Sequence, residues 1–290
     1  MTVLRLIADD LTGALDAVAP FAAAESPVEV RWMRPPQLAP GRSLALDLET
    51  RDLAPAAAEA RSREAAPVLK GADVAFKKVD SVLRGHPARE IAGAWSGGGF
   101  RSLVVALAFP AQGRVTRDGR QWVRELDGTW RKVPVDLLAD LRSLDLPMEL
   151  VPEEARPEGG GLFFCEAASE EALARIVEAG RTLRPPVLWC GTGGLARALA
   201  GPPRPRPRRV WELPWLGLVG TAHPVMTGQI DELAAARPDA VVAIESTDDA
   251  VIEQALDAVA SALEDGHGRL LALRLPARVD RLTAATAIER

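Results

Sequence analysis

The sequence predicts an α/β protein with two domains of mostly parallel sheets flanked by helices, the second domain small or incomplete. Three observations predict it. Short apolar runs alternate with helical patterns along nearly the whole chain, as in a parallel sheet covered on both faces. A Pro/Arg-rich stretch from Gly201 to Arg209 interrupts that alternation. The chain opens with an apolar run, two adjacent carboxylates and a helical pattern, which places polar groups at the carboxyl end of a strand.

Val3 to Ile7 reads as the first strand, broken only by Arg5, and an Ala-rich helical pattern runs on through Ala24. Further strands are expected at Val28 to Trp32, Ser43 to Leu48, Val74 to Lys77, Leu103 to Ala108, Gly161 to Cys165 and Val187 to Cys190. Helices are expected at Pro55 to Leu69, Ala88 to Trp95 and Glu170 to Leu183. The less regular segment from Gly113 to Pro157 reads as an insertion lying over the sheet edge. These elements form a first domain over residues 1–200. Residues 201–212 form a linker, because alternating Pro and Arg favour an extended chain.

After the linker the alternation resumes over residues 213–290. Strands are expected at Leu216 to Val219, Ala240 to Ile244 and Arg269 to Leu275, with helices at Val225 to Ala236 and Ala250 to Leu263. A last helix begins at Val279 and reaches Arg290. Three strands are few beside the ~5–6 of a typical sheet, hence the expectation of a reduced second domain.

Composition narrows the function classes. A net charge of -5 over 290 residues argues against a nucleic-acid binder, which would present a basic surface. No apolar run approaches the ~20 residues that cross a bilayer, and no signal peptide is evident. A soluble cytoplasmic protein is therefore expected, with no membrane partner. The two cysteines, Cys165 and Cys190, sit in apolar runs outside any metal-binding spacing and read as buried small hydrophobes.

Four segments could carry chemistry. In Ala8-Asp9-Asp10-Leu11-Thr12-Gly13, two adjacent carboxylates repel each other unless they serve a cation, a hydroxyl or a proton. The competing reading ends the strand at Asp9 and caps the helix with Asp10 or Thr12. Lys78-Val79-Asp80-Ser81-Val82-Leu83-Arg84-Gly85-His86 offers two cations, an acceptor and a hydroxyl. That set suits an anionic, hydroxylated small molecule, since Arg forks onto carboxylates and Lys acts as a point charge. The competing reading is a solvated turn with an internal ion pair. His86 could serve as a base, although a lone turn histidine is more often incidental. Phe109 to Thr116 adds Arg114 after a turn at Gly113. Gly191-Thr192-Gly193-Gly194 and Gly220-Thr221 each lie between a strand and a helix. Either could admit an anion to a helix N-terminus or merely allow close helix–strand packing. Neither is a Walker A loop or a dinucleotide fingerprint, which disfavours a dehydrogenase.

Taken together, these segments resemble the four-carbon acid sugar kinase family. The resemblance rests on Ala8 to Ala14 with Asp16, Thr50-Arg51, Lys78 to Gly85, Phe109-Pro110 with Gly113-Arg114, and Gly191 to Ala196. Gly220-Thr221 through Gln229 extends it into the second domain. It implies ATP-dependent phosphorylation, with Mg2+ on the phosphates, of a threonate, erythronate or 3-oxo-tetronate type acid at its terminal hydroxyl. Asp9 or Asp10 would accept the hydroxyl proton. Thr12, Arg51, Lys78, Asp80, Ser81, Arg84, Gly85 and Arg114 would hold the acid. Gly191, Thr192, Gly220, Thr221, Thr227 and Gln229 would face the nucleotide. A homodimer is left open.

Leu15, Val82, Glu166, Thr192 and Thr221 depart from the family's usual residues. The resemblance also implies a Gly-Gly-acidic-Thr element after a later strand, and none occurs before Arg290. The alternative is a non-catalytic acid-sugar-binding relative without a complete ATP site.

Overall fold

The first strand, β1 (Leu4–Ala8), is buried along its whole length, and pairing on both sides makes it an interior strand of a parallel sheet. The computed structural model describes residues 2–23, 27–32, 41–202, 212–221 and 223–274. It divides into one unit over Met1–Arg206 and another over Pro207–Arg290. Most of the expected linker, residues 203–211, lies outside the described residues, as do Ala24 and the helix expected from Val279.

In the first unit, β1 is followed by α1 (Leu11–Val18), β2 (Glu29–Trp32), β3 (Leu44–Asp47), α2 (Pro55–Ala65), β4 (Val74–Lys78), α3 (Pro87–Gly98) and β5 (Ser102–Ala106). A short antiparallel sheet of β6 (Arg114–Arg117), β7 (Arg120–Arg124) and β8 (Trp130–Lys132) comes next, then α4 (Leu137–Ser143) and β9 (Glu149–Val151). The unit closes with β10 (Leu162–Cys165), α5 (Glu170–Gly180), β11 (Val187–Gly191) and α6 (Gly193–Ala200). Eight strands form one parallel sheet in the order β2-β3-β1-β4-β11-β5-β10-β9.

Alternate residues of each strand feed two cores. Leu4, Leu6 and Ala8 pack under α1, α5 and α6, whereas Ile7 faces the core shared with α2, α3 and α4. Helix α1 follows β1 on one face and α3 follows the adjacent β4 on the other. The carboxyl ends of β1 and β4 therefore splay apart at a topological switch point, where open sheets form their ligand crevice. Helices α2 and α3 approach closely, because a Cβ on Gly93 would stand 2.3 Å from the Glu59 carbonyl oxygen.

Four expectations are corrected. Helix α1 stops at Val18 instead of continuing through Ala24, since Pro20 cannot donate a helical hydrogen bond. The strand expected to reach Ala108 ends at Ala106, and the helix expected to reach Leu183 ends at Gly180. The segment from Gly113 is regular: β9 does extend the sheet edge, but β6, β7 and β8 make a sheet of their own. Its Gln121 is buried and donates to the carbonyl oxygens of Ser81 at 3.2 Å and Leu107 at 3.1 Å. The insertion thus ties down the loops after β4 and β5.

The second unit holds β12 (Leu216–Val219), α7 (Pro224–Ala236), β13 (Val241–Ile244), α8 (Asp249–Glu264) and β14 (Arg269–Leu273). Its three strands are parallel in the order β12-β14-β13. A small core of Ile244, Ile252 and Ala255 lies under α8. No described helix is long and apolar enough to cross a membrane.

Candidate acid-sugar site

At the end of β1 the two carboxylates take different tasks. Asp10 is the N-cap of α1: its backbone is extended (φ -148°, ψ 160°) and its Oδ1 accepts the Gly13 N–H at 2.8 Å. That satisfies one of the orphan donors of the first helical turn. Its Oδ2 accepts from Arg51 Nη1 at 2.6 Å. Asp9 points into the protein with only 3% of its side chain exposed. Its Oδ2 accepts from Arg51 Nε at 2.8 Å and forms an ion pair with Arg51 Nη2 at 2.7 Å, and its Oδ1 has no hydrogen-bond partner. The Asp9 carbonyl oxygen also accepts from the Thr50 and Arg51 backbone N–H groups. Strand end and Arg51 are thereby locked together.

The loop after β4 forms around Asp80. Its Oδ2 accepts from the backbone N–H groups of Val82 and Arg84 and from Arg84 Nε at 3.1 Å, while its Oδ1 accepts from Arg84 Nη2 at 2.7 Å. Arg51 Nη2 approaches the same Oδ1 at 3.4 Å. Burial pushes the Asp80 carboxyl up, but Arg84 and Arg51 outweigh burial and hold it below the ordinary value. Gly85 closes the loop at φ +76°, and a Cβ there would stand 3.3 Å from Arg51 Cα.

Adjacent lysines on β4 point to opposite faces, as strand residues must. Lys78 lies toward α1, and its Nζ donates to the Val79 carbonyl oxygen at 3.0 Å. Burial holds its ammonium below the ordinary value, with partial compensation from Asp9, Asp16, Asp80 and Asp10. Lys77 points into the opposite core and pairs with Glu90 of α3 at 2.6 Å. Burial alone would lower Lys77, but Glu90 and Asp9 outweigh it and hold it above the ordinary value.

These groups border a cleft of about 260 Å³ at the carboxyl ends of β1 and β4. Asp10, Thr12, Arg51, Lys78, Asp80, Ser81 and Arg84 all line it, so the structure brings together most of the expected acid-holding residues. Asp9, Gly85 and Arg114 do not line it. Gly85 shapes the turn, and Arg114 Nη1 donates instead to the carbonyl and side-chain oxygens of Gln112, itself a lining residue. A larger cleft, about 590 Å³, opens at the amino ends of the strands around Lys70, Phe100, Arg181 and Trp189, away from this chemistry. His86 takes the incidental reading: its Nε2 lies 2.7 Å from the Leu53 carbonyl oxygen.

The Gly191-Thr192 turn is corrected from a nucleotide loop to a packing turn. Thr192 is fully buried, its hydroxyl donating to the Ala108 carbonyl oxygen at 2.9 Å and accepting the Gly194 N–H at 3.1 Å. A Cβ on Gly191 would stand 2.3 Å from the Ala106 carbonyl oxygen. Neither residue presents a surface to a nucleotide. Gly193 alone of this turn reaches the cleft, packed against Asp16.

In the second unit, Gly220 and Thr221 are exposed where β12 ends. Thr221 Oγ1 accepts the His223 N–H at 3.2 Å, and Thr227 Oγ1 donates to the His223 carbonyl oxygen at 3.4 Å within α7. Gln229 is exposed on the same helix. Cys165 and Cys190 are both buried free thiols, and burial pushes Cys165 up to about 12. Among the described residues, no group of three His, Cys, Asp or Glu side chains is placed to hold a metal ion.

Two contributors escaped the sequence reading. Gln121 acts across 40 residues on Ser81, and the Lys77–Glu90 pair lies beneath the site. Asp16, named in the resemblance without a role of its own, lines the cleft one helical turn beyond Thr12.

Guanidinium forks, hydroxyls and carboxylates surround a small polar cleft at a switch point, a set of groups chemically suited to a small hydroxylated anion. Residues 4–137 match the sugar-binding N-terminal domain family, and the chain belongs to the four-carbon acid sugar kinase family. It is 34% identical over 224 residues to the D-threonate kinase of Cupriavidus necator, covering 68% of this chain and 54% of that protein. The chain spans about half the length of the curated relatives it matches. A structure from Salmonella typhimurium LT2 superposes with a TM-score of 0.74 at 17% identity, covering 100% of this chain and 80% of that one. A Bordetella bronchiseptica domain of unknown function, solved with bound citrate as a domain-swapped dimer, is 24% identical with a TM-score of 0.52, covering 98% of this chain and 78% of that one. Both structural likenesses concern the fold alone.

Proposed function

We propose that this chain acts as an ATP-dependent kinase on a four-carbon sugar acid of the threonate type, at the terminal hydroxyl. The observation that carries the reading is the cleft where Arg51, Lys78, Asp80 and Arg84 meet, in a chain related to D-threonate kinases. Arg84, with 53% of its side chain exposed, offers a guanidinium to the acid's carboxylate, and Lys78 adds a fixed positive charge. Thr12 and Ser81 supply hydroxyls to read the acid's own. Arg51 is committed to Asp9, Asp10 and Asp80 and acts chiefly by fixing the cleft wall.

Phosphoryl transfer depends on positioning and on neutralising charge. Gly220, Thr221 and Gln229 supply exposed backbone, hydroxyl and amide groups around the start of α7, with the half-buried Thr227 beside them, a set chemically suited to phosphate oxygens. Mg2+ would arrive on the triphosphate and shield its charge. The described residues show no ready three-ligand site for it.

The test is an ATP-consumption assay over a panel of four-carbon sugar acids, run with acid-induced melting shifts. Transfer to one acid, with a matching shift, supports the reading. Binding stabilises the native state whether or not turnover follows. A shift without transfer would therefore favour the non-catalytic binding relative, and neither would remove the acid-sugar site itself.

A further inference from the structure

Three carboxylates border the cleft, and two of them are already engaged. Asp10 gives one oxygen to the Gly13 N–H and the other to Arg51. Asp80 gives both oxygens to Arg84 and the backbone of its own loop. Asp16 makes no hydrogen bond or ion pair among the described residues and is partly exposed to the cleft.

Its surroundings place it at the edge of the cleft. Asp16 lies on α1 one turn after Thr12, so the two share the helix face that borders the cleft. The Lys78 ammonium feels its charge from across the cleft wall. On the other side stands Gly193, where a Cβ would come within 2.3 Å of Asp16 Oδ2. The missing side chain is what leaves room for the carboxylate. Asp9, the other candidate acceptor at this strand end, is 2% exposed and does not line the cleft.

We propose that Asp16, and neither Asp9 nor Asp10, is the proton acceptor for the hydroxyl that is phosphorylated; this rests on the kinase reading above. The substrate's hydroxyl oxygen forms a bond to the terminal phosphorus of a nucleoside triphosphate, and its proton passes to an Asp16 oxygen. The bond from that phosphorus to its bridging oxygen breaks, and the electron pair leaves with the nucleoside diphosphate. Asp16 then returns the proton to water. The Asp9–Arg51–Asp10 cluster has a positioning role.

The test compares the unmodified chain with Asp16→Asn and Asp16→Glu, using ATP and the acid that gives the largest melting shift. Asp16→Asn should lose transfer by roughly 100-fold or more, the usual contribution of a general base, while keeping the acid-induced shift. Asp16→Glu keeps a carboxylate and should recover part of the rate, which a fold defect would not. Transfer by Asp16→Asn within about threefold of the unmodified chain overturns the assignment and leaves the kinase reading standing. Loss of the acid-induced shift in both variants overturns it in favour of a binding role. An unmodified chain that binds the acid without transferring phosphate overturns both readings together.

Discussion

Arg51 sets its guanidinium against a single oxygen of Asp9, Nε donating at 2.8 Å and Nη2 pairing at 2.7 Å, and leaves the other oxygen of that buried carboxylate without a partner. The charge of Asp9 is thus balanced almost entirely from one residue, with weaker help from the fields of Lys77 and Lys78.

Removing Arg51 should therefore be a stability defect before it is a binding defect. Arg51→Met leaves Asp9 buried and unpaired, which costs about 3–5 kcal/mol for broken buried pairs. Arg51→Lys cannot form the fork and should recover only part of that. Urea unfolding of the three proteins measures the ordering. A loss under about 1 kcal/mol for the Met variant, the level of a surface pair, would show that the fork is dispensable.

The Lys77–Glu90 pair makes a separate prediction. Both side chains are buried, at 1% and 3% exposure, and Glu90 Oε1 has no partner. Lys77→Met strands the Glu90 charge and should destabilise by about 3–5 kcal/mol. Adding Glu90→Gln should restore part of that loss, because the second change removes the stranded charge. A double-mutant cycle reads the coupling directly, and additive losses would mean the two groups act independently.

Asp80 sets part of the acid limb of stability. Its folded-state carboxyl lies below the ordinary 3.8, held down against burial by Arg84 and Arg51. A depressed carboxyl contributes stability that is full above the unfolded value and is lost as pH falls through the folded one. The stability difference between the unmodified chain and Asp80→Asn should therefore be largest near neutral pH and shrink as pH drops beneath 3.8. A difference that stays constant across that range would assign Asp80 no linkage.

Gly85 has both a conformational and a steric reason to be glycine. At φ +76° an alanine pays roughly 1–2 kcal/mol for the left-handed backbone, and its Cβ would press on the Arg51 backbone at 3.3 Å. Gly85→Ala should lower the melting temperature and weaken acid binding together. A variant with unchanged acid-induced shift would separate the loop from the position of Arg51.

Part of this site was legible from residue types and order. Aspartates at the end of an apolar run, and Lys78, Asp80 and Arg84 after another, announced a polar site at strand ends. Asp10 as a helix cap and Asp80 within an internal ion pair were the competing local readings, and both occur in the structure beside the cleft-lining role. Long-range partners were not legible. Gln121 reaches Ser81 from a hairpin whose antiparallel pairing no local pattern announced, and Glu90 meets Lys77 only because α3 packs over β4. Thr192 had the composition of an anion loop, and only its burial beneath the Ala108 carbonyl oxygen showed a packing turn.

The sequence by itself determined the alternation of strands and helices, and the strand ends at which Asp9, Asp10, Lys78 and Asp80 fall. Those features follow from apolar periodicity and from the turn and cap chemistry of neighbouring residues, which act over a few positions. The tertiary structure decided how those carboxylates divide their tasks. Asp9 and Asp10 are spent on Arg51, brought from the end of β3, while Asp16 remains open beside Gly193. Hydrogen bonds and charge pairs form between groups that the sheet order brings together, so the free carboxylate is identified only once every partner has its place.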